Sequence, residues 1–294
     1  MKVAKEEISH LPLVSIVTPS YNQGAFIEDA ILSVWNQDYP HIEHIVVDGG
    51  STDSTLKVLK KHDDKITWVS EKDNGQSDAV NKGFAMAKGQ VIGWLNSDDL
   101  YFSKDTISAI VKSFQCFESA DLIYGNFVEI DENNMILKVY HRPSKFSKNR
   151  LLRIGYISQP TVFFRRHIIE EHKLDMDLPN SMDLEFWLRL AKEGKVYAHT
   201  NQIIAIERLH KDAKSVAMHN EQYKEAYRVR RQFGQSFGLG YQLFRSLDKL
   251  LLALLKIKGV VTILKLYSKK NFAFAPKFDK RLLAILRQLN LLRK

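Results

Sequence analysis

Cysteine is almost absent from this chain of 294 residues: only Cys116 occurs. No intrachain disulfide can form, Cys-x-x-Cys redox and metal motifs are excluded, and a reducing, cytoplasmic setting is expected. Long apolar runs are missing too. The most apolar region, Leu250 to Leu264, carries Lys256 and Lys258 in its middle, whereas a spanning helix needs about 20 nearly uncharged residues. The opening MKVAKEEISH places Glu6 and Glu7 where a secretory signal would need an apolar stretch, so none is expected. Repeats and low-complexity tracts are lacking. Acids nearly vanish from one region: residues 231–294 hold 14 Lys or Arg against Asp248 and Asp279, so 14 − 2 = +12. The whole chain has 43 basic and 34 acidic residues, which leaves 29 and 32 in residues 1–230, a net of −3. With 45% apolar and 26% charged residues the chain has the means to fold. Its length points to a large body with an appendage, and the charge asymmetry marks the appendage as the part that meets something anionic.

What is present begins with four short apolar runs. LVSIV from Leu13, Ile42 to Val47, Ile66 to Val69 and VIGWL from Val91 read as buried strands. Helical segments separate them. AFIEDAILSVWNQ repeats Phe26, Ala30, Ile31 and Val34 at helical spacing. A second helix carries Leu56, Val58 and Leu59, with Ser51 or Thr52 as its cap. A third runs from a Ser77 or Asp78 cap to Lys88 and closes at Gly89. Alternating strands and helices of this kind predict a parallel α/β sheet with helices on both faces. In such sheets the ligand sits beyond the carboxyl ends of the strands. TPSYN, DGGSTD, EKDNGQSD and NSDD all fall at that edge and nominate one site.

Taken alone, Asp98 and Asp99 read as a solvated turn, or as two carboxylates that share a cation. Asp48 alone reads as a turn residue. Taken together, TPSYNQ, IVVDGGSTDST, DNGQSDAVNKG and WLNSDD closely resemble glycosyltransferase family 2, and the resemblance continues through SMDLEFWLRLA and IERLHKDAKS, over residues 12–215. It implies the GT-A fold, a Rossmann-like, mostly parallel sheet flanked by helices. It also implies transfer of a sugar from a nucleotide-sugar with inversion. Pro19, Ser20 and Tyr21 would then line the nucleobase pocket, and Asp48 would accept a hydrogen bond from the base. Gln76 and Asp78 would contact the donor, with Asn96 and Asp98 on the ribose. Asp98, Asp99 and His210 would hold Mg²⁺ or Mn²⁺, and Asp183 would be the general base. Gln159 and Pro160 would shape the acceptor pocket. Trp94 and Trp187, each inside an apolar run, are expected in the core.

The sequence departs from the family pattern at four places. Asn96 stands for the first acid of Asp-x-Asp-Asp, Gly49 for the second aspartate after the VVD strand, and Met182 for the first acid of a Glu-Asp pair. Val80 replaces an arginine that meets the diphosphate, a charge then left to Lys82 or His210. The domains expected are a GT-A domain at 1–215 and a basic helical extension at 216–294. YQLFRSLDKLLLALLKIK and DKRLLAILRQLNLLRK read as basic amphipathic helices, which pack on the body or rest on an anionic membrane surface. The expectation is a hexosyltransferase-type enzyme of surface polysaccharide synthesis. It would use a UDP-sugar and a saccharide or lipid-linked acceptor, cytoplasmic or peripheral on the inner face of the membrane. A nucleotidyltransferase would want a basic, glycine-rich loop after the first strand, and TPSYNQGAF has no basic residue. A non-catalytic sugar-nucleotide-binding relative is the other alternative. Nucleic acid is not expected as a partner, because the tail is rich in leucine and poor in aromatics.

Overall fold

A computed structural model describes residues 11–234. The basic tail and its expected helices lie outside the described residues. The amino-terminal half alternates β1 (Val14–Ser20), α1 (Ile27–Trp35), β2 (Ile42–Asp48), α2 (Thr55–Lys61), β3 (Thr67–Ser70), α3 (Gln76–Met86) and β4 (Val91–Trp94). The four strands are parallel, in the order β3-β2-β1-β4. There follow β5 (Leu100–Tyr101), α4 (Thr106–Cys116), β6 (Leu122–Asp131), β7 (Ile136–Tyr140), α5 (Lys148–Ile154), a 3₁₀ turn at Gln159–Thr161, β8 (Phe163–Arg165) and α6 (His167–Glu171). The described chain ends with α7 (Met182–Lys192), β9 (Tyr197–Leu209), α8 (Lys214–Ala217) and α9 (His219–Gln232). Strand β8 is antiparallel to both β4 and β6, β9 runs parallel to β6, and β5 and β7 are antiparallel additions to β9 and β6. The expected mostly parallel sheet thus holds through β4, and a mixed half extends it.

Alternation along the strands decides which layer each side chain joins. Val17, Ile45 and Val47 pack with Ala79, Val80 and Phe84 of α3 and with Phe186 and Trp187 of α7. Val14 and Ile16 face the other way, onto Val34 of α1 and Ile107, Ile110 and Phe114 of α4. Phe163 and Phe164 divide between the two layers. Helix α3 approaches β1 so closely that a Cβ on Gly83 would lie 2.3 Å from Val17 Cγ1. Trp94 and Trp187 are both buried in the core, as expected.

Several local readings change. Strand β1 continues through Thr18-Pro19-Ser20, where the sequence suggests a loop. The ladder to β4 ends at Val17, and Pro19 lies opposite Val47 of β2, beyond the reach of a β4 partner. Ser54, not Ser51 or Thr52, stands at the start of α2. Gly75 precedes α3, so Ser77 and Asp78 lie in its first turn. That helix stops at Met86 because the next amides turn to another acceptor: Lys88 and Gly89 N–H donate to Glu43 Oε1 at 2.6 and 3.2 Å.

The first compact unit runs to Gln235, not to 215. Helix α9 belongs to it because Glu225 Oε1 accepts from the backbone N–H of Asn180 and Ser181, at 2.8 and 2.7 Å, where α7 begins. The segment before α7 is tied from the other side as well. Asn81 Nδ2 donates to Leu174 O at 3.0 Å, and Leu174 N–H donates to Asn81 Oδ1 at 2.9 Å. Asn81→Ala is expected to cost about 1–3 kcal/mol, read as a lower urea midpoint with an unchanged slope.

Candidate functional site

A cleft of about 550 Å³ opens at the carboxyl ends of β1 and β4, the place where strand order reverses and open α/β sheets bind ligands. Pro19, Ser20, Tyr21, Asn96, Asp98 and Asp183 line it together, although Asp183 is 162 residues distant from Tyr21 in sequence, 183 − 21 = 162. Gln76, Asp99, Gln159 and Pro160 line it too. Each is delivered by the end of an apolar element whose burial fixes the backbone.

Asp98 Oδ2 lies 3.1 Å from Nε2 of the buried His210, whose ring packs on Phe26 at 4.4 Å and whose Nδ1 has no protein partner. Asp99 points elsewhere: it accepts from Asn96 Nδ2 at 3.2 Å and from Arg208 N–H at 3.3 Å. Burial pushes the Asp99 carboxyl well up, and the charges of Asp98 and Glu207 push it further. Asn96 is therefore more than a lost acid. Its amide donates to Asp99, and its Oδ1 accepts from Gln76 Nε2 at 2.8 Å and Trp94 Nε1 at 3.0 Å; a carboxylate there would set like charge against Asp99. Of the three expected cation ligands the structure brings Asp98 and His210 together. Among the described residues no three His, Cys, Asp or Glu side chains form a closed cage. A carboxylate and an imidazole still suit Mg²⁺ or Mn²⁺, which keep positions for water and phosphate oxygens.

Across the cleft, Asp183 sits in the first turn of α7. Burial raises its pKa and the charge of Glu225 adds to this, while helix N–H groups and Lys214 pull the other way. Lys214 Nζ donates to Gln76 Oε1 at 2.9 Å and Pro179 O at 2.8 Å. It brings a cation to the cleft, a charge expected from Lys82 or His210. Lys82 instead pairs with Glu71 at 2.7 Å and Asp78 at 3.5 Å, and Val80 is wholly buried. Glu207, also in the lining, accepts from Ser158 Oγ. Burial and the charge of Glu129 push its pKa up to about 8, Arg142 opposes this, and Asp183 and Asp98 add smaller upward pushes.

Asp48 does not line the cleft. Fully buried, it accepts from Gly50 and Ser51 N–H at 3.1 and 2.9 Å, from Ser51 Oγ and from Ser70 Oγ at 2.6 Å. Asp78 likewise stands outside the lining and braces the preceding loop through Asn74 N–H at 3.0 Å. The acid that does reach the cleft on this side is Asp73. A Cβ on Gly49 would lie 2.5 Å from Asp73 Oδ2, so the side chain missing at 49 leaves the space that Asp73 occupies. Sequence reading misses Asp73, Glu207 and Lys214. An acid inside the apolar run IIAIER is the signal for Glu207; Asp73 carries none, since only the fold sets it beside Gly49. Ser20 Oγ, Gln159 Oε1 and Asn180 Oδ1, all on lining residues, are buried without a partner. Such atoms are costly unless a ligand satisfies them.

Residues 15–173 match the family model described as glycosyl transferase family 2. Similar curated proteins include the putative teichuronic acid biosynthesis glycosyltransferase TuaG of Bacillus subtilis, 32% identical over 67% of this chain and 79% of that protein. An uncharacterized glycosyltransferase of Rickettsia bellii is 29% identical over 72% of this chain. The hyaluronan synthase of Pasteurella multocida is 27% identical over 85% of it. The chain spans only 32% and 26% of those two proteins' own lengths. Among solved structures, S. aureus TarS 1–349 in complex with UDP-GlcNAc superposes with a TM-score of 0.61 at 17% identity, covering 74% of this chain and 65% of that one. The mannosyltransferase PcManGT of Pyrobaculum calidifontis, in complex with GDP-Man and Mn²⁺, gives 0.60 at 20%, covering 97% and 82%. The likeness to these two is one of fold.

Proposed function

We propose, from the premise that this chain belongs to glycosyl transferase family 2 and has the GT-A fold, that it moves a sugar from a UDP-sugar to a hydroxyl of a saccharide or lipid-linked saccharide, with inversion, in surface polysaccharide synthesis. The observation that carries the reading is the meeting of Asp98 and Asp183 in one cleft at the β1/β4 switch point, with the buried His210 held against Asp98. The named roles of relatives in teichuronic acid and hyaluronan synthesis support the acceptor class, and the UDP-GlcNAc bound to TarS supports the donor.

Substitution at an anomeric carbon passes through an oxocarbenium-like state. The acceptor hydroxyl must lose its proton as it attacks, and Asp183 takes it. The half-buried carboxylate, its pKa raised by desolvation, is better matched to that task than a fully solvated one. Pro19, Ser20 and Tyr21 shelter the nucleobase, and Asp73 offers the carboxylate that accepts from a base N–H. Asn96 and Gln76 meet the ribose. Lys214 stands ready for the diphosphate. A divalent cation held by Asp98 and His210 would neutralise the charge gathering on the leaving diphosphate.

Thermal unfolding with UDP, GDP and ADP, each with and without Mn²⁺, tests this reading. UDP with Mn²⁺ is expected to give the largest rise in Tm, since a ligand at 100 times its Kd adds about 2.7 kcal/mol to the folded state. Absence of any Mn²⁺-dependent rise would remove the nucleotide-sugar assignment, and a larger rise with GDP would move it to the other donor class.

A further inference from the structure

The sheet carries a second surface that the transfer reaction does not use. Ile136, Leu137, Lys138 and Val139 of β7 are all exposed, and so is Met135 before them. Met135 is 65% exposed, Ile136 68%, Leu137 52% and Val139 41%. Successive strand residues point to opposite faces, so β7 bares apolar side chains on both sides, although the β6 residues paired with it, Phe127, Val128 and Ile130, are buried. A water-facing hairpin would alternate. Contiguous bare apolar surface of this kind marks an interaction site.

The ribbon is firmly based. Tyr140 stacks on Phe127 at 4.5 Å and donates to Glu129 Oε2 at 2.8 Å. The Arg142 guanidinium lies 4.6 Å from the Phe127 ring. Helix α5 adds another bare apolar side chain, Ile154 at 58%.

Charge identifies the partner. From Met135 to Ile154 the chain has no Asp or Glu, and besides Arg142, whose guanidinium is turned inward to Phe127 and Glu207, it has Lys138, Lys145, Lys148, Arg150 and Arg153. None of these last five forms an ion pair among the described residues. A polyanionic saccharide would match the cations and leave Met135, Ile136 and Leu137 unexplained. A bilayer with anionic headgroups matches both, taking the bare apolar side chains of β7 below the headgroups and the cations at their level, while the polar turn with Asp131 and Glu132 stays in water.

We propose that the β6–β7 hairpin and α5 form a membrane-docking surface that seats the protein on a bilayer carrying anionic lipids. The inference rests on the transferase reading only for its purpose, which is to hold the cleft beside an acceptor anchored in that bilayer. The 3₁₀ turn that brings Gln159 and Pro160 to the cleft begins five residues after α5 ends, 159 − 154 = 5.

The test uses the full chain carrying Ile136→Trp, with the native protein and its four tryptophans as the blank. On vesicles of phosphatidylcholine and phosphatidylglycerol the added emission is expected to shift to the blue and to be quenched by brominated lipid. On phosphatidylcholine alone affinity should fall by about fivefold for each cation engaged. The triple variant Met135→Ser, Ile136→Ser, Leu137→Ser should bind mixed vesicles at least about tenfold more weakly, with its UDP and Mn²⁺ thermal shift unchanged. Emission already blue without lipid would overturn the proposal, since another part of the chain or a second copy would then cover the hairpin. Unquenched emission on a vesicle-bound protein, or equal vesicle binding by the triple variant, would overturn it too. The thermal shift reads the nucleotide site by itself, so either idea can fail alone.

Discussion

Asp183→Asn is expected to lower kcat by about 10²–10⁴-fold, the usual worth of a positioned base, while the UDP and Mn²⁺ thermal shift stays intact. The substitution is nearly isosteric and keeps an oxygen for the α7 N–H groups, and the approach to that helix is held independently by Glu225. What disappears is the ability to take a proton. The native pH profile should carry the same signature. A base works unprotonated, so kcat falls as pH drops through the pKa of Asp183. Burial raises that pKa above the ordinary aspartate value, so the acid limb should lie higher than for an exposed aspartate. Native turnover by the variant would remove Asp183 from the role.

Glu207→Gln should reverse a pH-dependent weakness of the fold. The folded-state pKa is about 8 against an ordinary 4.5, so between these values the folded protein binds the extra proton. This contribution to stability is complete below about pH 4.5 and is lost as pH rises through about 8. A tenfold difference in proton affinity between folded and unfolded chains is worth about 1.4 kcal/mol. With Ser158 and Arg142 still present to receive the charge, a loss on the order of 2–4 kcal/mol is expected for the native protein across that window. The neutral glutamine keeps the acceptor for Ser158 and escapes the loss. Unfolding curves of the two proteins should therefore coincide near pH 5 and separate near pH 8, the variant being the more stable. Curves that stay parallel across the range would mean that Glu207 is already ionised at neutrality.

The first half of the fold was legible because β1, β2, β3 and β4 each end an apolar run abruptly in polar residues, and a parallel sheet places those ends side by side. The mixed half was not. Pairing of β6 with β9 joins Tyr124 to His199 and Ile130 to Arg208, contacts that no local pattern announces. The site divided along the same line. Pro19, Ser20, Tyr21, Asn96 and Asp98 follow or end strands, and all of them line the cleft. Asp48 also ends a strand, but the serines and amides of its own turn enclose it, and hydrogen-bond saturation of this kind is invisible in a string of letters. Asp73 reaches the cleft because of an absence at Gly49, and Lys214 because α8 folds back over Pro179. Residues 216–232 looked like the start of the tail, being as polar and helical as such a segment would be. The reach of Glu225 to Asn180 and Ser181, and Val229 buried in the core, show that they belong to the body.

That last contact bears on how short the protein can be made. A chain ending at 215 would keep all nine described strands and every strand-end residue of the nucleotide side. It would nevertheless lose the carboxylate that anchors the start of α7, and with it the fixed direction of Asp183. Such a truncation should hold nucleotide and transfer nothing, so the smallest working enzyme has to extend past Gln232.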